Sequence, residues 1–138
     1  MKMQIQWENG VAFKANSESG HSYYMDGASE MGGENKGMRP MEMILAGVAG
    51  CTSFDVVTIL KKSRQDIQGC IAEIVGKRSD TVPKVFTEIH IHFVVSGKNI
   101  KPNMVERAIN LSAEKYCSAS IMLKNTVKIT HDFEIKEA

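Results

Sequence analysis

Two cysteines are the residues of this chain best suited to chemistry. Cys51 lies in the run Arg39-Pro-Met-Glu-Met-Ile-Leu-Ala-Gly-Val-Ala-Gly-Cys51-Thr-Ser-Phe-Asp55, and Cys117 lies in Glu114-Lys-Tyr-Cys117-Ser-Ala-Ser. A thiol after two glycine-interrupted helical turns, with a second thiol far down the chain, is the pattern of a redox pair. Such a thiol must ionise near neutral pH, whereas a free cysteine has a pKa of about 8.5, so a cation, a helix N-terminus or a hydrogen-bond donor has to stabilise the thiolate. Cys51 gets no such help from its own helix start, because position 41 is about 15 Å away at the helical rise. Asp55, one turn further on, would oppose a thiolate if it faced the same pocket. The activating charge must come from elsewhere in the fold or from a second subunit. The competing reading is plain packing: free cysteine is among the most buried residue types, so Cys51 as a small core residue and Cys117 tucked under a helix would satisfy the same pattern.

Other groups carry weaker signals. Cys70 follows Gly69 at a strand start and reads as structural. His90 and His92, two apart on one strand, point the same way, but no cysteine or carboxylate completes a ligand spacing, so no metal is expected. Gly32-Gly33 does not run from a strand into a helix, so a phosphate cradle and a nucleotide cofactor are unsupported. Met38, Met41 and Met43 suit core filling better than a pocket wall.

The elements that must position these residues follow from periodicity. Residues 3 to 7 alternate apolar and polar, Asn9-Gly10 is a two-residue hairpin signal, and residues 11 to 15 alternate again. A third strand over residues 21 to 26 completes a meander. Residues 27 to 39 hold four glycines and few core formers, which predicts a mobile loop of the kind that often borders a site. Pro40 suits the first position of a helix running to about residue 64, with Lys61, Lys62 and Arg64 at the negative end of its dipole. Gly47 and Gly50 each cost about 1 kcal/mol relative to alanine there, which close approach of another backbone or a substrate would rationalise. Strands follow over 68 to 77 and 84 to 96, the second with Val85, Thr87, Ile89, Ile91 and Phe93 on one face and Phe86, Glu88, His90 and His92 on the other. A helix over 102 to 116 carries an apolar stripe of Met104, Val105, Ala108, Ile109, Leu111, Ser112 and Tyr116. A short helix over 119 to 123 precedes a last strand over 127 to 135. This order defines an α+β domain spanning residues 1 to 138, with an antiparallel sheet segregated from a long central helix.

At 138 residues, with 43% hydrophobic and 24% charged residues, the chain suits one globular core. Seventeen basic against sixteen acidic residues leave a net charge of +1, which gives no electrostatic case for nucleic acid or an anionic membrane. No stretch approaches 18 consecutive apolar residues, and the N-terminus lacks an apolar signal region, so a cytoplasmic location is expected. Three cysteines in a reducing compartment do not make a disulfide framework. A long, mostly apolar helix in so short a chain needs cover on more than one side, which predicts a homodimer.

Taken together, these residues resemble the OsmC/Ohr family of cysteine-based hydroperoxide reductases, most closely its YhfA-like branch of predicted redox proteins. The likeness spans the whole chain. It is carried by Arg39 to Thr52, similar to the family's Pro-x-Glu helix ending in Cys, by Asp55-Val-Val-Thr-Ile-Leu-Lys-Lys, by Leu111-Ser-Ala-Glu-Lys-Tyr-Cys117-Ser, and by Ile129-Thr-His-Asp-Phe-Glu-Ile. The resemblance implies an intertwined homodimer with active sites at the subunit interface. It implies Cys51 as the peroxidatic thiolate and Cys117 as the resolving thiol, with an organic hydroperoxide as substrate and an external dithiol as reductant. Two departures stand out. Hydroperoxide-reducing members carry a glutamate ten residues before the first cysteine, paired with an arginine from the N-terminal strands; here that position is Met41, Glu42 follows it, and the first arginine is Arg39. Glu42 is rotated by about 180° from Cys51 on an ideal helix. Two alternatives therefore stay open: a protein that binds an apolar small molecule without catalysis, and a thiol or sulfur carrier.

Overall fold

The alternation at the N-terminus folds as a hairpin because Gly10, at φ 51°, takes the left-handed conformation that the turn demands. In the computed structural model, which describes residues 1–138, β1 (Met3–Asn9) pairs antiparallel with β2 (Ala12–Ser17), and β2 with β3 (Ser22–Met25). This is the expected meander, a three-stranded sheet of order β1-β2-β3. The glycine-rich segment after it is anchored by one side chain. The buried Asp26 carboxylate accepts N–H bonds from Gly27 at 2.7 Å, and from Glu34 and Lys36 at 3.1 Å each. Those donors, Lys36 foremost, hold its pKa below the usual carboxylate range. A loop expected to be mobile is thus gathered on a buried anion, with a single 3₁₀ turn at Ser29–Met31.

Helix α1 (Pro40–Lys62) starts where Pro40 predicts. The Glu42 carboxylate accepts the N–H of Arg39 at 3.0 Å, the backward half of a capping box. The Arg39 guanidinium donates to Asn35 Oδ1 at 2.8 Å and to the Gly37 carbonyl at 3.1 Å. Both charged residues singled out near the helix start therefore have local structural partners. The helix stops at Lys62, and Arg64, at φ 59°, turns the chain out of it. By length and composition α1 would suffice to cross a membrane, a property it shares with core helices of soluble proteins.

The chain forms two compact units, Met1–Ile44 and Leu45–Ala138. In the second, β4 (Asp66–Arg78) and β5 (Phe86–Lys98) make a long antiparallel pair, and β6 (Lys128–Glu137) lies on the other side of β5. The antiparallel expectation needs one correction: β6 runs parallel to β5. Parallel neighbours require a crossover, and here it is made by α2 (Pro102–Leu111), a π-helical turn (Ser112–Tyr116) and α3 (Ser118–Leu123). The single helix expected over 102 to 116 thus ends five residues early as an α-helix, and the wider turn that follows leaves Tyr116 half exposed rather than in the apolar stripe.

The core is built from the inner face of β5 (Ile89, Ile91, Phe93 and Val95), with Val105, Ala108 and Ile109 of α2 and Val48, Val56 and Leu60 of α1, all buried. One irregularity sets the face of Phe86. Lys77 pairs with Glu88 but Arg78 pairs with Phe86, so Thr87 is an extra, bulged residue. The bulge sends Phe86 inward and leaves Val85 and Thr87 exposed, the reverse of their strict alternation in the sequence. Gly76 supplies the room: a Cβ there would lie 2.6 Å from the Phe86 ring.

Candidate redox site

Cys51 sits in the middle of α1, and its side is open enough to leave it half-buried, because Gly47, one turn earlier, and Gly50, directly before it, present no side chains, and a Cβ at either would meet nothing within 4 Å. Cys117 is fully buried in the joint between the π-helical turn and α3. The wide turn closes by an N–H bond from Cys117 to the Ser112 carbonyl at 2.8 Å. The Cys117 sulfur then accepts the N–H of Ser120 at 3.3 Å, acting as the N-cap of α3.

The two thiols are neighbours. Burial pushes the Cys117 thiol up, the Ser120 hydroxyl and N–H pull it partly back down, and Cys51 raises it again as a hydrogen-bonding and charge partner. Cys51 is therefore close enough to act on the proton of Cys117. Both sulfurs are free thiols. The Ser120 hydroxyl lies beside the Cys117 sulfur, yet it makes no well-directed hydrogen bond.

A chain of oxygens runs next to the pair. Thr52, adjacent to Cys51, and Ser112 are both fully buried, and their hydroxyls meet at 2.8 Å. Ser112 Oγ also donates to Asp55 Oδ2 at 2.9 Å. A hydroxyl has a single proton; since Ser112 gives its own to Asp55, Thr52 must donate to Ser112. Asp55, whose charge would oppose a thiolate facing the same pocket, is the terminal acceptor of this chain. In the sequence Ser112 is one member of an apolar stripe. A serine within an otherwise apolar helical stripe was the available signal for it.

Beyond Asp55 a groove of about 600 Å³ opens, lined by Phe54, Asp55, Lys62, Arg107 and Tyr116 among others. Neither sulfur lines it, although Asp55 is one helical turn from Cys51 and Tyr116 directly precedes Cys117. Cys70 lies half-buried on β4, where burial alone pushes its thiol up. His90 and His92 lie on the outer face of the second sheet and share one acceptor: His90 Nε2 is 2.9 Å and His92 Nδ1 2.8 Å from Asp132 Oδ1. His90 Nδ1 is 2.6 Å from Thr130 Oγ1. The carboxylate that the sequence spacing did not reveal comes from β6, through the parallel pairing of His92 with Asp132.

A meander, a long glycine-bearing helix with a thiol at its centre, and a second sheet whose crossover brings up another thiol define one class of protein. The family model described as OsmC-like protein matches residues 33–132, and the chain belongs to that family. Protein YhfA of Escherichia coli K12 is 43% identical over 138 residues, the full length of both chains. Among solved structures, a hypothetical protein from Aquifex aeolicus VF5 is 29% identical, with a TM-score of 0.87 over 99% of this chain and 96% of the other. An organic hydroperoxide resistance protein OsmC from Legionella pneumophila is 15% identical, with a TM-score of 0.73 over 97% of each chain, a likeness of fold.

Proposed function

We propose that this chain is a cytoplasmic, homodimeric thiol peroxidase that reduces organic hydroperoxides. Cys51, the more accessible thiol, attacks the distal peroxide oxygen as a thiolate. The O–O bond breaks, the alcohol leaves with a proton, and Cys51 becomes a sulfenic acid. Cys117 then attacks that sulfur, water leaves, and a Cys51–Cys117 disulfide remains. An external dithiol restores both thiols by exchange and is itself oxidised to a disulfide.

The observation that carries this reading is the adjacency of a half-buried and a fully buried thiol. The Legionella relative is named for organic hydroperoxide resistance, which supports the substrate class. The dimer is supported by α1, of whose most apolar stretch only 28% is buried within one chain. The deciding experiment incubates the reduced protein with an alkyl hydroperoxide and counts free thiols by mass spectrometry. Loss of two thiols as a 51–117 disulfide is expected; retention of all three rules the mechanism out.

A second reading, an apolar small-molecule-binding protein, draws on the groove beside Phe54 and Tyr116. It predicts a copurifying ligand and no consumption of peroxide.

A further inference from the structure

Disulfide closure is geometrically demanding. The two Cα atoms must come within about 4.4–6.8 Å, with the S–S torsion near ±90°, whereas the first attack on a small peroxide asks only that one thiolate be reachable. The second step therefore depends on how firmly α1 is registered against the turn that carries Cys117. One residue lies on both sides of that relation.

We propose that Ser112 is the positioning residue for the resolving step, holding the two thiols in register through its side chain and its main chain at once. This rests on the redox reading above. Its hydroxyl accepts from Thr52 at 2.8 Å and donates to Asp55 at 2.9 Å. Its carbonyl accepts the N–H of Cys117 at 2.8 Å. Its own N–H is shared between the carbonyls of Ala108 and Ile109, which fixes it to the end of α2.

The two anchors on α1 are not redundant. Asp55 is four residues from Cys51 and lies on the same helix face, whereas Thr52 is one residue on and about 100° around the axis. Pinning both to one hydroxyl fixes the rotation of that helical turn as well as its height. Thr52, Ser112 and Cys117 are all fully buried, so losing the Thr52–Ser112 bond leaves a partner unsatisfied and without water to replace it, while Asp55, at the edge of the groove, is part-buried. A helix held at two azimuths by a buried hydroxyl cannot roll the Cys51 sulfur away from Cys117 without breaking one of those bonds.

The step that Ser112 serves is balanced as written: Cys51 sulfenic acid and Cys117 thiol combine, the S–O bond breaks, the S–S bond forms, and water departs with the thiol proton. Ser112 touches neither sulfur with its hydroxyl in this scheme and is not a catalytic residue.

The test separates the two steps. Stopped-flow mixing of the reduced protein with an alkyl hydroperoxide, quenched into a sulfenic-acid-selective dione, gives the formation and the decay of the Cys51 sulfenic acid. In Ser112→Ala, formation is expected within two-fold of the unsubstituted protein, while decay to the disulfide slows by roughly ten-fold, the equivalent of a loosened attack geometry. Ser112→Thr keeps the hydroxyl and should restore most of the decay rate. Asp55→Asn, which retains an acceptor oxygen, provides a milder slowing should Ser112→Ala not fold. A purely structural role would slow both steps together, in proportion to the loss of melting temperature, as would Val105→Ala at a buried position of α2; that pattern overturns the proposal. Unchanged decay in folded Ser112→Ala overturns it too. If the unsubstituted protein forms no 51–117 disulfide, the redox reading itself fails. If it does and the Ser112 variants close it equally fast, only the positioning role falls.

Discussion

The sulfur site and the imidazole face of the second sheet make opposite use of similar material. Around His90 and His92 the ionisable groups are dense, exposed and satisfied by one another: both rings converge on a single oxygen of Asp132, whose carboxylate holds the His92 pKa up while His92 first, then His90, hold the carboxylate down. Around Cys51 and Cys117 the groups are sparse and largely buried, and each polar atom has an assigned neighbour with the exception of the Ser120 hydroxyl. A surface cluster in water has screened, interchangeable interactions, whereas a buried one depends on each partner. Chemistry-bearing residue types are therefore a poor guide by themselves: histidines with a carboxylate look more catalytic on paper, but the fully buried polar groups with assigned partners lie beside the thiols.

Breaking the comparison begins with the sulfurs. Cys51→Ser should abolish peroxide-dependent thiol loss, and Cys117→Ser should leave a long-lived sulfenic acid at position 51, both read by mass spectrometry after dione labelling. Equivalent loss of activity on replacing His92 by Gln would invert the contrast drawn here.

An intermediate effect concerns alkaline pH. Burial raises the Cys117 thiol above the ordinary cysteine range, and burial does the same at Cys70. Between the ordinary and the raised value the unfolded chain has released a proton that the folded chain still holds. Stability is therefore full below about pH 9 and declines as pH climbs through the raised range, by at most about 1.4 kcal/mol per pH unit for each thiol. Urea unfolding across that range should show the slope, and Cys117→Ser should reduce it.

The smallest effect belongs to the exposed face. Asp132→Asn should lower the His92 titration followed by NMR and leave thiol oxidation untouched. His131, on the inner side of the same sheet and stacked on Phe93 with ring centroids 6.3 Å apart, should still titrate low, because burial and then the charge of His90 oppose its protonation. In the unsubstituted protein the inner and outer histidines of one sheet are displaced in opposite directions, and the substitution should narrow that gap from the outer side alone.

Much of this fold was legible in the sequence because its elements are long and regular. The Asn9-Gly10 turn, Pro40 at a helix start and the alternation of β5 and β6 each have a local physical cause, and the strands and helices appear within a few residues of where those causes put them. What stayed hidden was long-range or out of period. The bulge at Thr87 inverts three residues of a clean alternation, Val85 to Thr87, and the parallel partner of β5 depends on a crossover whose direction no local signal fixes. At the site, the cysteines stand out by type, but the Thr52–Ser112–Asp55 chain joins residues up to 60 positions apart through hydroxyls that read as ordinary helix positions. The anchoring of the 27–36 segment by Asp26 was invisible for the same reason, since three backbone donors leave no mark in composition.

The five-residue π-helical segment before Cys117 carries a consequence for how this chain tolerates insertions and deletions. A turn of that width holds one residue more than an α-helical turn, so a single-residue deletion between Ser112 and Tyr116 can be absorbed by a return to ordinary winding, whereas an added residue would turn whatever follows by about 100°. Such an insertion would carry Cys117 away from its neighbour without a single atom of either thiol having been altered, which makes the length of that short segment as much a determinant of the site as the identity of the cysteine it delivers.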